Sequence, residues 1–229
     1  MTERRCDAMV SGGGLVGSAI AWGLRREGLS VALLDEGDAA YRASRGNFGL
    51  VWVQSKGMGM AAYGRWTLES ARLWPGFADQ LREDTGIDVG LEQKGGLYVL
   101  FGDKETEARV AYMTRMHAQP GMATYPWRLL DRHELASLVP GLGPEPTGAI
   151  WTGEDGILNP LKLLRALHQS MLNDGVHYLA EHRVADIEHS YGVFQLRTSR
   201  GTVRARQIVL ASGLGNQVLG EKVGIHVSV

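Results

Sequence analysis

The chain has 229 residues, of which 44% are hydrophobic and 21% charged, and its formal net charge is −1. This balance gives no basic surface for nucleic acid, and the length suits one large domain or two interleaved ones. The single cysteine, Cys6, cannot form an intramolecular disulfide, and no Cys/His spacing is typical of a metal site, which favours a reducing, cytoplasmic location. No apolar run is long enough for a signal peptide or a transmembrane segment.

The first predicted unit is a strand followed by a glycine-rich turn and a helix. Residues 6–11 have the apolar character of a buried strand, and residues 15–27 have the pattern of a helix that Gly28 would end. Between them the sequence matches G-x-G-x-x-G. The chain contains 31 glycines, so the match carries weight only because a predicted strand precedes it and a predicted helix follows it.

These glycines are the ones that a dinucleotide site requires. Gly12 would allow the tight turn, Gly14 the approach of a pyrophosphate to the backbone, and Gly17 the packing of helix on strand. The helix N terminus, at Leu15 and Val16, would supply N–H donors and a positive dipole. We therefore predict that all five residues bind a dinucleotide.

The second predicted strand, residues 30–34, is an apolar run of the parallel type and ends in Asp35 and Glu36. A carboxylate about 20 residues beyond the glycines is placed to hold ribose hydroxyl groups. No arginine directly follows the two acids, so a 2′-phosphate would meet negative charge. NADP is therefore the least expected dinucleotide.

The chain then leaves the alternating strand–helix pattern for a long stretch. A helical region is predicted from residue 58 to 85, with a break near Pro75 and Gly76, followed by a strand at 95–101 and a helix at 104–118. A nicotinamide enzyme would continue with short alternating helices and strands. The excursion therefore favours FAD over NAD.

The last third returns to the first pattern. Asn159 and Pro160 are suited to start a helix over residues 161–173. A third parallel strand at 176–179, a three-stranded meander over 183–204 and a further parallel strand at 207–211 follow. Gly213 and Gly215 do not continue into a second G-x-G-x-x-G, which disfavours a protein with two dinucleotide domains.

Five blocks of the sequence resemble, in order and spacing, the D-amino-acid oxidase (DAO) superfamily of FAD-dependent oxidoreductases, which includes glycine and sarcosine oxidases, D-amino-acid dehydrogenases and opine or hydroxyproline oxidising subunits. They are DAMVSGGGLVGSAIAWGLRREGLSVALLDEGD, ASRGNFGLVW, GGLYVLF, EDGILNPLKLLRAL and RARQIVLASGLGN. The second and fourth are the more specific ones.

The resemblance implies an α/β fold in which a Rossmann-type FAD-binding domain, with a parallel sheet and a three-stranded antiparallel meander, is interleaved with an incomplete α+β substrate domain. The expected boundaries are 1–57 and 153–217 for the FAD-binding domain, and 58–152 and 218–229 for the substrate domain. Members of the superfamily continue for roughly another third of their length, so we expect a truncated chain, with residues 223–229 entering a strand.

The resemblance also implies further FAD-binding residues. Val184 would offer its backbone to the adenine, and the turn at Ala211 and Gly213 would pass close to the cofactor. The polar opening of the second block would face the pyrophosphate and ribityl chain, its glycine would allow close approach, and its apolar end would line the flavin site; these residues are Ser44, Arg45, Asn47, Gly49 and Leu50. A plain connecting turn and strand remains the alternative for them.

The implied reaction is oxidation of a carbon–nitrogen bond in an amino acid or secondary amine: a D-amino acid, glycine, sarcosine or an opine-like compound. None of the seven histidines has a spacing that identifies a catalytic base, so the catalytic residues stay unknown. A partner subunit or a homo-oligomer is expected. Two alternatives remain, a non-catalytic FAD-domain remnant or partner subunit, and an NAD-dependent dehydrogenase.

Overall fold

The computed structural model describes residues 4–37 and 43–228. The chain divides into two compact units: Met1–Asn47, Gln80–Val89 and Pro160–Val229 form the first, and Phe48–Asp79 and Gly90–Asn159 form the second. The domain boundaries taken from the sequence stay a prediction.

Helices and strands follow one another along the described chain in the following order: β1 (Arg4–Ser11), α1 (Leu15–Arg26), β2 (Val31–Leu34), β3 (Leu50–Val51), α2 (Ala61–Thr85), β4 (Gly96–Leu100), α3 (Asp103–His117), β5 (Arg128–Asp131), α4 (Arg132–Leu138), β6 (Gly148–Thr152), β7 (Gly156–Ile157), α5 (Pro160–Asn173), β8 (His177–Leu179), β9 (Val184–Ser190), β10 (Val193–Thr198), β11 (Gly201–Leu210) and α6 (Asn216–Glu221).

The first unit contains a six-stranded sheet in the order β8-β2-β1-β11-β10-β9. The four strands from β8 to β11 in this order run parallel, while β10 is antiparallel to both of its neighbours. Every residue of β2 is buried, because Ala32 and Leu34 pack into one apolar cluster and Val31 and Leu33 into another. This arrangement confirms the α/β fold with a parallel sheet and an antiparallel meander.

One strand is longer than expected. The third strand of the predicted meander, residues 201–204, and the last predicted parallel strand, residues 207–211, are one strand, β11. Its first half pairs with β10, and its register with β1 is continuous from Val203 to Leu210. No glycine, proline or asparagine separates Arg204 from Gln207, so nothing in the sequence ends the strand there.

The end of the chain also differs from the prediction. A strand was expected over residues 223–229, but residues 222–224 form a turn after α6 and residues 225–228 have no regular secondary structure. Ile225 donates a backbone hydrogen bond to the Gly220 carbonyl, which folds this segment back onto the end of the helix.

A half-buried carboxylate joins three helical segments of the first unit. Asp84, near the end of α2, accepts hydrogen bonds from Arg26 of α1, Ser170 of α5 and Gln80. The Ser170 hydroxyl also accepts a hydrogen bond of 2.8 Å from the indole of Trp22. Burial raises the pKa of Asp84, but the hydrogen bonds from Ser170, Arg26 and Gln80 outweigh it, so the pKa lies below its usual value.

The second unit contains a three-stranded antiparallel sheet in the order β4-β6-β5 and a two-stranded ribbon of β3 and β7. Helix α2 is continuous through Pro75, so the predicted break at Pro75 and Gly76 is wrong. A proline at this position leaves the Ala71 carbonyl without its helical donor. The side-chain amide of Gln93 supplies one at 3.0 Å, and it also donates to the Glu154 carbonyl at 2.8 Å.

We expect Gln93→Leu to destabilise the protein by about 1–3 kcal/mol, because two carbonyls then lose their donor. In a Pro75→Ala background the new backbone N–H serves Ala71, so the same substitution should cost about 1 kcal/mol less. Urea unfolding of the four variants measures this coupling. An equal cost in both backgrounds would contradict the role given to Gln93.

Asp84→Asn should cost about 1–3 kcal/mol at pH 7, since hydrogen bonds to a charged group are lost. The pKa of Asp84 is lowered by folding, so its contribution is fully present above the unfolded pKa of about 3.9 and is lost as the pH falls from there through the lower pKa of the folded state. Unfolding at pH 7 and pH 3 should therefore show a difference between variant and wild type that shrinks in acid. A constant difference would rule out the charge as the cause.

Candidate functional site

A cleft of about 720 Å³ lies in the first unit where β1, β2 and β11 end at Ser11, Leu34 and Leu210. The carboxyl ends of parallel strands are where ligands of open α/β sheets bind, and the volume suits a cofactor. Nine of the predicted residues line it: Gly12, Gly14, Val16, Asp35, Glu36, Ser44, Val184, Ala211 and Gly213.

The other six predicted residues lie elsewhere. Leu15 and Gly17 belong to the first turn of α1 and are not among the residues that line the cleft. Arg45 lines a separate, smaller groove along α5, and the side chain of Asn47 turns back onto its own loop. Gly49 and Leu50 belong to the second unit. Cofactor contact by any of the fifteen residues stays a prediction.

The glycine turn is packed tightly on one side and open on the other. A Cβ on Gly17 would lie 1.8 Å from the Gly12 carbonyl oxygen, and a Cβ on Gly12, which has φ +110°, would lie 2.4 Å from the Ala211 carbonyl oxygen. A Cβ on Gly14 would meet only the Ser44 side chain. Gly12 and Gly17 therefore permit the close packing of strand and helix, while Gly14 presents backbone to the cleft.

The acid at the end of β2 is tied to the turn. Asp35 is 6% exposed, and its two carboxylate oxygens accept backbone hydrogen bonds from Gly13 at 2.7 Å and Gly37 at 2.9 Å. A carboxylate oxygen can accept more than one hydrogen bond, which is the chemistry that a ribose hydroxyl would use here. Glu36 also lines the cleft and is exposed.

The loop that carries Ser44 reaches the start of α1. The Ser44 hydroxyl accepts a hydrogen bond of 2.9 Å from the Leu15 backbone N–H, one of the donors that a helix leaves unpaired at its N terminus. The Asn47 amide donates to the Ser44 carbonyl at 3.1 Å and so holds this loop. Asn47 therefore acts on the turn through Ser44.

His168, which the sequence did not single out, also holds the turn. Its Nε2 lies 2.8 Å from the Gly13 carbonyl oxygen, and its ring makes an edge contact with Tyr178 at 5.3 Å between centroids. A helix-face histidine carries no sequence signal that distinguishes this role from an ordinary packing position. His182, Arg183 and Asn216 likewise line the cleft without having been predicted.

In the second unit, the structure joins the two sequence blocks that carry the more specific resemblance. Strand β3 pairs with β7, placing Leu50 opposite Ile157 and Val51 opposite Gly156. Beside this ribbon Asp155 is fully buried and accepts hydrogen bonds from the Val53 backbone at 2.6 Å and the Gln54 side chain at 2.9 Å. Burial raises the pKa of Asp155 although these donors oppose the rise.

The cleft has the features that a dinucleotide such as FAD requires. Gly14 and the N terminus of α1 would hold the diphosphate, and Asp35 and Glu36 would hold the ribose. Val184 and the turn at Gly213 form the remainder of the cleft wall. A side chain at Gly12 or Gly17 would break this cradle, so the glycines present match the group.

The comparison with protein families decides between FAD and NAD. The model of the FAD-dependent oxidoreductase family, DAO, matches residues 7–228. The chain belongs to this family. FAD as the cofactor and membership of an oxidoreductase family, both predicted from the sequence, are thereby confirmed, and NAD is set aside.

Among curated relatives, this DAO-family chain is 42% identical over 219 residues to the B subunit of opine oxidase from Agrobacterium tumefaciens and 30% identical over 226 residues to glycine oxidase of Geobacillus kaustophilus. These alignments cover 96% and 98% of the chain. The crystal structure of the Geobacillus kaustophilus glycine oxidase superposes with a TM-score of 0.89 at 29% identity, over 98% of this chain and 60% of that one. The chain spans about 59% of the length of the curated relatives.

Residues 4–37 and 43–228 contain no helix that is long and apolar enough to cross a membrane. In the same part of the chain, no group of three or more histidine, cysteine, aspartate or glutamate side chains could hold a metal ion.

Two glycine-to-alanine substitutions in α1 test the packing of the turn. Gly17→Ala should cost about 3 kcal/mol or more and abolish FAD binding, because its Cβ collides with the Gly12 carbonyl. Gly23→Ala is the matched control, since its Cβ would have no neighbour within 4 Å, and it should stabilise the helix by about 0.5–1 kcal/mol. Thermal unfolding and flavin titration measure both; equal effects of the two substitutions would refute the packing argument.

Proposed function

We propose that the protein to which this chain belongs oxidises the carbon–nitrogen bond of an amino acid or a secondary amine, with FAD as the hydride acceptor. The observation that carries the proposal is the cleft at the carboxyl ends of the parallel strands, lined by the glycine turn and Asp35, in a chain of the DAO family. Among possible substrates we favour an opine-type secondary amine, because a relative named as the B subunit of opine oxidase is 42% identical.

In this proposal the residues of the first unit bind and orient the cofactor. Gly14 and Val16 offer N–H groups to the diphosphate at the start of α1, where the helix dipole is positive. Ser44, which accepts from the Leu15 N–H, and Asn47 fix the neighbouring loop. The carboxylates of Asp35 and Glu36 hold the ribose. Bound FAD supplies the acceptor for the hydride that leaves the substrate α-carbon.

A preorganised site is the contribution that the chain makes to such a reaction. Flavin chemistry needs the cofactor held in one orientation and separated from water, and it requires no dedicated acid–base pair. We therefore assign no catalytic residue among those described, and we place the chain's role in cofactor binding. A catalytic residue would have to be identified in the whole protein.

A partner subunit is also part of the proposal. Two relatives, both named as the B subunit of opine oxidase, carry the word subunit in their names, which supports assembly with a second chain, and a homo-oligomer is the alternative. A cytoplasmic location is proposed on the basis of the free, buried Cys6.

Anaerobic titration of the FAD-loaded chain tests the reaction. Octopine, sarcosine, glycine and D-alanine would be added in turn while the visible flavin absorbance is recorded, with lactate as a matched compound that offers a carbon–oxygen bond instead. We expect an amine, and octopine first, to bleach the flavin band, and lactate to leave it unchanged. Bleaching by lactate alone would contradict the proposal. A retained flavin that no amine bleaches would favour a non-catalytic FAD-domain subunit.

A further inference from the structure

The peptide groups of Gly13 are held from two sides. The Gly13 N–H donates to Asp35 at 2.7 Å, and its carbonyl oxygen lies 2.8 Å from His168 Nε2 and 3.2 Å from the Ser18 hydroxyl, which donates to it. A carbonyl oxygen can only accept, so the His168 nitrogen at this position carries the hydrogen and donates. Three elements, α1, α5 and the end of β2, therefore meet at one residue.

The direction of the Gly13 carbonyl determines the direction of the next N–H. The Gly13 carbonyl and the Gly14 N–H belong to one planar peptide group, and in a trans peptide they point in opposite directions. The described residues contain no cis peptide bond. Because His168 and Ser18 hold the carbonyl on their side, the Gly14 N–H is turned to the opposite side, and Gly14 is a residue of the cleft wall.

This turn needs an external constraint because it consists of three successive glycines, residues 12–14. Glycine has the largest choice of backbone conformations, so a peptide group between two glycines can rotate at little steric cost. Side-chain donors on neighbouring helices remove that freedom. Tyr178 in turn packs against the His168 ring at 5.3 Å and limits its rotation.

We propose that His168 is a positioning residue of the cofactor site, which orients the Gly14 N–H toward the diphosphate of the bound dinucleotide by holding the Gly13 carbonyl. This inference rests on the proposed placement of FAD in the cleft. It assigns a function to a helix residue that lies outside the glycine motif and whose imidazole touches the turn through a single hydrogen bond.

The test compares ligands with and without a diphosphate. Calorimetric titrations of the purified chain with FAD, ADP and adenosine would be made for wild type, His168→Leu, His168→Gln and the control His177→Leu, an exposed histidine of β8. We expect His168→Leu to weaken FAD and ADP about tenfold, which corresponds to about 1.4 kcal/mol, with adenosine affinity changed less than about twofold. His168→Gln keeps an N–H donor and should recover most of the loss. His177→Leu should bind as wild type.

Several results would overturn the role of His168. These are wild-type affinity of His168→Leu for FAD and ADP, an equal loss for adenosine, or failure of glutamine to restore binding. If the leucine variant does not fold, glutamine is compared with His168→Asn, whose amide is one methylene shorter; equal binding by these two would also reject the proposal. The readout is binding, so a chain that binds FAD but oxidises no amine still decides the question. If the wild-type chain binds neither FAD nor ADP, both the proposed cofactor site and this inference are wrong.

Discussion

The first turn of α1 lies against the Gly12 carbonyl so closely that a single methyl group on Gly17 would reach within 1.8 Å of that oxygen. This contact fixes where the helix begins relative to the end of β1. The N–H groups and the positive end of the helix dipole are consequently presented beside the carboxyl ends of the parallel strands. The cleft and its lining residues depend on this approach of helix to strand, and so does the proposed binding of a phosphate-bearing ligand.

Tight packing creates a second requirement, because a turn made of glycines has many conformations available to it. The structure meets this requirement with side chains from outside the turn. Asp35 holds the Gly13 N–H, and Ser18 and His168 hold its carbonyl, while Ser44 caps the Leu15 N–H. Each is a single hydrogen bond, with a net energy of about 0.5–1.5 kcal/mol between neutral groups and more to a carboxylate, and together they select one arrangement of the backbone. Binding energy then need not be spent on ordering the turn.

The sequence predicted those parts of the fold whose signal is local. A strand buried on both faces, such as β2, has an uninterrupted apolar sequence, and Gly28 marks the end of α1 because glycine is suited to end a helix. The glycines of the cleft were identifiable for the same reason. A break was predicted in α2 because proline does break most helices. The donor that replaces the missing backbone N–H is the side chain of Gln93, which is 22 residues from its acceptor, Ala71, in the chain.

Long-range contacts explain the other differences. His168 was indistinguishable from a packing residue because its partner, Gly13, is 155 positions earlier and offers only a backbone carbonyl. β3 pairs with β7, and Asp155 is buried beside Val53. Both contacts connect segments about a hundred residues apart, and no periodicity in the sequence predicts them. Resemblance located both segments as functional blocks, but their contact is visible only in the structure.

The central claim is that the glycine turn and the start of α1 hold the diphosphate of FAD. A crystal structure of this chain grown with FAD tests it most directly. We expect density for the diphosphate beside Gly14 and the N terminus of α1, with the adenosine ribose at Asp35 and Glu36. A dinucleotide bound elsewhere on the chain, or a diphosphate that makes no contact with the turn, would contradict the account.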